Sequence, residues 1–290
     1  MTDYATAFTF LLSLSIQLMN PLKLVSIVTN LSKPGASEVG QKLESLCRAQ
    51  GVDVRRTDEF PCPDGFLKGT DVCFSVGGDG TLLHLLGDAV KHDVPVAGVG
   101  LGKLGFLATI SPDELDEAVP PVLVGKFRVR KRSLLGFSAN QGEEMLALND
   151  LVIKSGSSGR LGRFSVHAGE ELVAEYACDG IVFSTPTGST AYNLASGGPI
   201  AHPEAKVMLM TPISAHTLTS RPVVFPAGMK IRVENQSGQQ VPCVFADGRD
   251  AFTTVPEFPI EVSTSDSSFP LLELEKHSHF RVMRNKLKWG

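Results

Sequence analysis

Residues 71–81 read Asp71-Val72-Cys73-Phe74-Ser75-Val76-Gly77-Gly78-Asp79-Gly80-Thr81, an apolar run that ends abruptly in glycine. Such a run, too short for a buried helix and closed by glycines, reads as a strand buried on both faces, as parallel strands are. Thr81–His92 then has helical spacing, so strand, glycine loop and helix follow one another in the order that open α/β sheets use to hold phosphates. Glycines let the backbone come close to such a group. An aspartate in that loop, Asp79, accepts a proton from a sugar hydroxyl or helps to hold a metal ion, while the plainer use of the same residue is a helix N-cap.

Working outward, Leu22–Thr29 reads as a buried strand, Glu38–Ala49 as a helix, Val52–Arg55 as a short strand and Val94–Val99 as another. Alternation of this kind is the pattern of βαβ units around a parallel sheet, a doubly wound, Rossmann-like half. After about Gly125 the texture changes. Short segments of alternating character, Phe127–Val129, Ala147–Lys154, Arg163–His167, Pro222–Val224, Lys230–Val233 and Val241–Phe245, are separated by Gly, Ser, Asn and Pro. That spacing suits an antiparallel sandwich or stacked sheets.

A length of 290 residues with 42% hydrophobic and 20% charged side chains fits two globular domains, each with its own core. The net charge of -4 speaks against a nucleic-acid binder, so phosphorylated ligands must be held locally. The five cysteines, Cys47, Cys62, Cys73, Cys178 and Cys243, form no C-x-x-C pair, which points to a reducing, cytoplasmic setting. Phe8–Leu18 is apolar but too short to cross a bilayer and lacks a basic leader, so residues 1–20 are expected to be a loose extension with no membrane role.

The second concentration of chemistry is Asp179–Pro199, DGIVFSTPTGSTAYNLASGGP, an apolar strand running into a loop dense in Gly, Ser and Thr. Its small hydroxyls and exposed amides suit phosphate, ribose and adenine edges, and Tyr192 offers a ring for stacking. A flexible surface loop is the bland alternative.

Together these stretches resemble the NAD kinase family. Gly77–Thr81 is similar to its first motif, Asn149-Asp150 to its paired Asn and acidic residue, and Thr185–Tyr192 with Gly197-Gly198-Pro199 to its long second motif. Gly102–Leu107, His216–Pro222, Asp247-Gly248 and the tail with Phe280, Arg284, Leu287 and Trp289 extend the resemblance from about Leu22 onward.

The resemblance implies an enzyme that moves the γ-phosphate of ATP to the 2′-hydroxyl of the adenosine ribose of NAD. Asp79 would be the proton acceptor, with Gly77, Gly78, Gly80 and Thr81 beside the substrates. Asn149 and Asp150 would hold NAD, and a divalent metal, Mg2+, would sit on the phosphates with help from Asp79 or Asp150. Asp179, Thr190, Ala191 and Tyr192 would line the adenine, with Asn193, Leu194 and Ala195 closing the pocket and Phe106 covering a face of the ring, and Thr187 and Ser189 would be further contacts to NAD or ATP. His84, Arg160 and Arg249 fall where the family has further NAD contacts, although residue 249 is commonly Gln and position 100, here Gly, commonly Asn. The implied fold is α/β: a Rossmann-like domain of residues 21–125 to which the tail 270–290 returns, and a β-rich, sandwich-like NAD-binding domain of residues 126–269. The implied assembly is a homo-oligomer, dimer or tetramer, in which a neighbouring subunit completes the pocket.

The same residues admit three rival readings. Gly100-Leu101-Gly102-Lys103-Leu104-Gly105 fits G-x-G-x-x-G and would suggest a dehydrogenase, but it lies late in the sheet, and Asp116 and Glu117 behind it fall in a helical stretch. A lipid or sugar kinase shares the Gly-Gly-Asp-Gly loop but not Thr185–Tyr192. A non-enzymatic NADP-binding regulator has no need of Asp79. The basic run Arg281–Lys288 reads as a solvated helix face with Phe280, Leu287 and Trp289 packed inward.

Overall fold

The structure, a computed structural model, describes residues 21–102, 105–140, 142–156, 160–238 and 241–289. The expected loose extension, residues 1–20, and the Lys103-Leu104 pair lie outside them. The chain forms two compact units, one of residues up to Arg130 together with those from Pro270, the other Lys131–Phe269.

In the first unit β1 (Leu24–Thr29), β2 (Asp53–Thr57), β3 (Val72–Gly77) and β4 (Val96–Gly100) are all parallel, in the order β2-β1-β3-β4. The last residues of a long strand, β16 (Ile260–Glu273), join this sheet beside β4 through Leu271 and Val96. β3 and β4 are buried throughout, as their unbroken apolar sequence requires. Leu43 and Cys47 of the helix Ala36–Ala49 and Leu115, Val119 and Val122 of the helix Leu115–Leu123 pack on Val25, Ile27, Phe74, Val76 and Val99. The stretch expected as one helix, Thr81–His92, is two, Asp79–Leu83 and Leu86–His92, separated where Leu85 N–H closes a tighter turn on the Leu82 carbonyl.

The second unit is built from antiparallel strands. One sheet has the order β12-β11-β10-β7-β14-β15, from β7 (Asp150–Lys154), β10 (Gly180–Ser184), β11 (Val207–Ile213), β12 (Val223–Pro226), β14 (Cys243–Ala246) and β15 (Arg249–Asp250). The other contains β8 (Gly162–Ala168), β9 (Glu171–Cys178), β13 (Ile231–Asn235) and the first half of β16. Phe164, Val166 and Ile231 of one sheet share a core with Ile153, Ile181 and Phe183 of the other, which makes a sandwich. Ala147–Lys154, expected as one strand, is divided into β6 (Met145–Ala147) and β7 by the bend at Leu148-Asn149.

The inward packing expected of the tail is corrected for Phe280 and Trp289, whereas Leu287 is half-buried. In the helix His279–Leu287 it is Met283 that is buried, at 6% exposure, whereas Phe280 and Trp289 stand 60% and 50% exposed. One short helix presents one face, and Met283 occupies it.

Candidate functional site

In the first unit the sheet order reverses between β1 and β3, and ligands of open α/β sheets bind outside the carboxyl ends of strands at such a point. Gly77 ends β3, Gly78 caps the helix Asp79–Leu83, and Asp79, Gly80 and Thr81 form its first turn. Gly77 lies so close to the Thr81 side chain that a Cβ would overlap it. The Thr81 hydroxyl is buried and accepts from Asn30 Nδ2 at 3.2 Å, which ties the end of β1 to the loop after β3.

Asp79 does not cap its own helix. Its Oδ2 accepts from the Phe106 N–H at 2.8 Å, and its Oδ1 accepts from the Leu107 and Ala108 N–H groups at 3.1 and 2.8 Å. An ionised carboxylate has about four acceptor sites, so this arrangement fixes the group's orientation and leaves a position on Oδ2. Gly105 packs directly on the same carboxylate, where a Cβ would collide with Oδ1. His84, at the end of the same helix, sets its ring edge-on to Phe60 with centroids 4.5 Å apart.

The second unit repeats the device. Asp247 accepts through Oδ2 from the Leu148 N–H at 2.9 Å and through Oδ1 from the Asn149 and Asp150 N–H groups at 2.7 and 3.3 Å. It can do so because Asp247 and Gly248 both adopt positive φ, 49° and 77°, in the two-residue turn between β14 and β15. The capture holds the bend at Leu148-Asn149 between β6 and β7, and so fixes Asn149 and Asp150 at the start of β7. Burial, followed by the nearby Asp247 carboxylate, pushes the Asp150 carboxyl from its ordinary 3.8 up to about 7, against the Tyr192 N–H, which lowers it. Asp247 is raised too, chiefly by burial, with its backbone donors and Arg249 opposing.

The Thr185–Ala195 loop wraps against this pair. Gly188 rests on the Asn149 carbonyl with no room for a Cβ, and Thr185 N–H donates to that carbonyl at 3.0 Å. Several side chains of the loop that the resemblance assigns to ligand face inward. The Ser189 hydroxyl donates to the Pro186 carbonyl at 2.6 Å and accepts from the Ala201 N–H at 3.0 Å. Asn193, fully buried, donates to the Ser189 and Pro199 carbonyls and accepts from the Thr211 hydroxyl at 2.7 Å. Thr187 is buried, and its hydroxyl makes no hydrogen bond among the described residues. Thr190, Ala191 and Leu194 are half-buried and Ala195 and Tyr192 exposed, with Lys154 Nζ 5.1 Å from the centroid of the Tyr192 ring.

Two expected contacts stand elsewhere. Asp179 lies at the start of β10 and Asp150 pairs with Ser184 at its end, a separation of about 16 Å for a five-residue strand. Arg160, exposed in the loop after β7, follows Ser155, whose N–H donates to the Asp179 carbonyl at 2.8 Å, so both belong to that far end. Arg249 is exposed beside Gly248. Sequence reasoning passed over Asn30, whose role depends on strand order, and Lys154. No group of three or more His, Cys, Asp or Glu side chains able to hold a metal occurs among the described residues, and no helix among them is long and apolar enough to cross a membrane.

Two family profiles match the chain, one described as ATP-NAD kinase N-terminal domain over residues 15–127 and one as ATP-NAD kinase C-terminal domain over residues 148–274. The NAD kinase of Heliobacterium modesticaldum is 34% identical over 279 residues, covering 92% of this chain and 99% of that protein. The NAD kinase of Pseudomonas putida is 38% identical over 225 residues, 76% of each. Among solved structures, yeast NADH kinase complexed with NADH superposes with a TM-score of 0.81 at 24% identity, covering 94% of this chain and 89% of that one. An NAD kinase from Archaeoglobus fulgidus in complex with ATP gives 0.76 at 24% identity, over 91% and 98%. These two likenesses concern the fold.

Proposed function

The chain belongs to the ATP-NAD kinase family, and from that premise we propose that it transfers the γ-phosphate of ATP to the 2′-hydroxyl of the adenosine ribose of NAD, giving NADP and ADP. The observation that carries this reading is the Asp79 carboxylate, held by three amides at the carboxyl end of β3 with an acceptor position left on Oδ2. A hydroxyl seated there is oriented for in-line attack, and its proton has an acceptor late in the reaction. Phosphoryl transfer needs positioning and charge neutralisation more than covalent chemistry. Asn149 and Asp150, fixed by Asp247, hold the NAD ribose and phosphates, and the Thr185–Ala195 loop receives the adenine with its backbone and with Tyr192.

Magnesium is the metal of this reading. Mg2+ is usually held by one or two carboxylates together with substrate phosphates. That mode fits a chain whose described residues contain no three-ligand cluster, with Asp79 or Asp150 supplying the carboxylate. The ion would neutralise charge on the phosphates of ATP. The assembly is a homo-oligomer in the cytoplasm, and the position of Asp179 and Arg160 at the far end of β10 supports their serving a neighbouring subunit's pocket.

The test is purified protein with ATP, magnesium and NAD or NADH, read by an assay specific for NADP or NADPH. Formation of NADP supports the reading. Phosphorylation of a lipid or sugar but not of the dinucleotide overturns it.

A further inference from the structure

The first unit contains a cavity of about 770 Å³ between the segment that follows β4 and the helix His279–Leu287. None of the residues assigned above to NAD or ATP lines it. Its wall carries four cations, Lys276, Arg281, Lys286 and Lys288, against one carboxylate, Glu114. This is an unusual concentration on a chain of net charge -4. We infer that this cavity is a second ligand site, separate from the Asp79 loop, that takes a small phosphorylated molecule with an apolar body.

The one acid is already engaged. Glu114 accepts from the Ser111 N–H and hydroxyl at 3.2 and 3.0 Å and from Lys276 Nζ at 3.4 Å. The other cations therefore set the sign of the field. Helix electrostatics accounts for only part of them. Cations are favoured at the C-terminal end of a helix, which suits Lys286 and Lys288, but disfavoured in the first turn, where Arg281 stands and no acidic residue occurs. Its guanidinium is held toward the Lys276 carbonyl at 3.0 Å. Arg281 alone stands against the helix dipole, and it faces the same cavity as Lys286 and Lys288; Arg and Lys together are the usual partners of phosphate. Leu274 and Val282 supply an apolar wall, and the volume lies in the range of small-molecule pockets.

The site is joined to Asp79 by one short loop. Gly102 and Thr109 belong to the cavity wall and bracket the Phe106–Ala108 segment whose N–H groups hold the Asp79 carboxylate. An occupant that steadies this wall steadies that carboxylate.

Pyrophosphate is the probe, with NAD present at saturation, and hydrogen exchange by mass spectrometry and titration calorimetry are the readouts. In the wild type, pyrophosphate is expected to protect amides within 276–288 and 105–110. The double variant Lys286→Glu/Lys288→Glu should lose that protection and bind pyrophosphate about tenfold or more weakly. Arg281→Gln should weaken it to a smaller degree, and circular dichroism should show both variants folded. Protection confined to 77–83, equal protection in the double variant, or no protection of 276–288 in the wild type would each overturn the inference.

Discussion

The Ala108 N–H donates to Asp79 Oδ1 at 2.8 Å across 29 residues of sequence, so the loop after β4 rather than the helix after β3 decides where that carboxylate points. The plainer reading of Asp79 as a helix cap fails on this bond, since Gly78 is the cap and all three of the carboxylate's backbone donors lie in residues 106–108.

Asp79→Asn keeps the shape but offers one acceptor oxygen and turns an amide NH2 toward a backbone donor. Turnover is expected to fall about 10²–10⁴-fold, the range for losing a positioned general base. Stability should drop by about 1–3 kcal/mol, the cost of an unsatisfied donor. Rate and urea denaturation measured on one preparation check both, and a folded variant with wild-type turnover would remove Asp79 from the mechanism.

Gly105→Ala puts a Cβ where Asp79 Oδ1 now lies, so the carboxylate must move while its chemistry is untouched. Turnover should fall by about 10²-fold, since misplacement of a reacting group by about 1 Å costs that much. If turnover survives with normal KM for both substrates, orientation of Asp79 is unimportant.

Asp150 gives stability a pH slope of defined sign. Its folded value of about 7 lies above its ordinary 3.8, so between these limits the native state keeps a proton that the unfolded chain has released. Stability therefore falls as pH rises through that window, by up to about 4 kcal/mol. Asp150→Asn should flatten the slope between pH 4 and 7 in denaturant titrations. An unchanged slope would place its origin elsewhere.

Tyr192→Ala removes an exposed ring that Lys154 approaches to 5.1 Å, a surface for stacking on the substrate. KM for NAD should rise about tenfold with turnover nearly kept, because the ring serves ground and transition states alike. Collapse of turnover at unchanged KM would contradict that role.

Asp179 can be tested by mixing. If it serves a neighbouring subunit, Asp179→Ala and Asp79→Asn proteins, each nearly inactive, should regain activity when co-expressed, because a hybrid contains a pocket with both residues intact. Absence of recovery in verified hybrids would return Asp179 to its own chain.

The Asp71–Thr81 stretch and the Thr185–Tyr192 loop were legible because composition alone separates a glycine loop after a buried strand from a connector. Strands β1, β3 and β4 were legible for a related reason, since strands buried on both faces are largely apolar. Less could be read where a residue's use depends on direction. Ser189 and Asn193 look like ligand groups in a polar loop, yet their donors and acceptors are consumed internally, and no local pattern tells which way a hydroxyl faces. Asn30 gained meaning only when β1 was seen beside β3. The long strand β16 escaped because its middle, Ser263–Ser268, is as polar as a loop and its pairing partners are distant in sequence.

That strand has a consequence for biosynthesis. Leu271 pairs with Val96, so one end of β4 obtains its neighbour only after the entire sandwich unit has been translated. At about 5–20 residues per second, the nascent sheet waits on the order of ten seconds or more with an incomplete edge. Unpaired strand edges recruit other chains, and here Ile110 covers the far end of that edge early while the Val96 end stays open until the segment after Pro270 emerges.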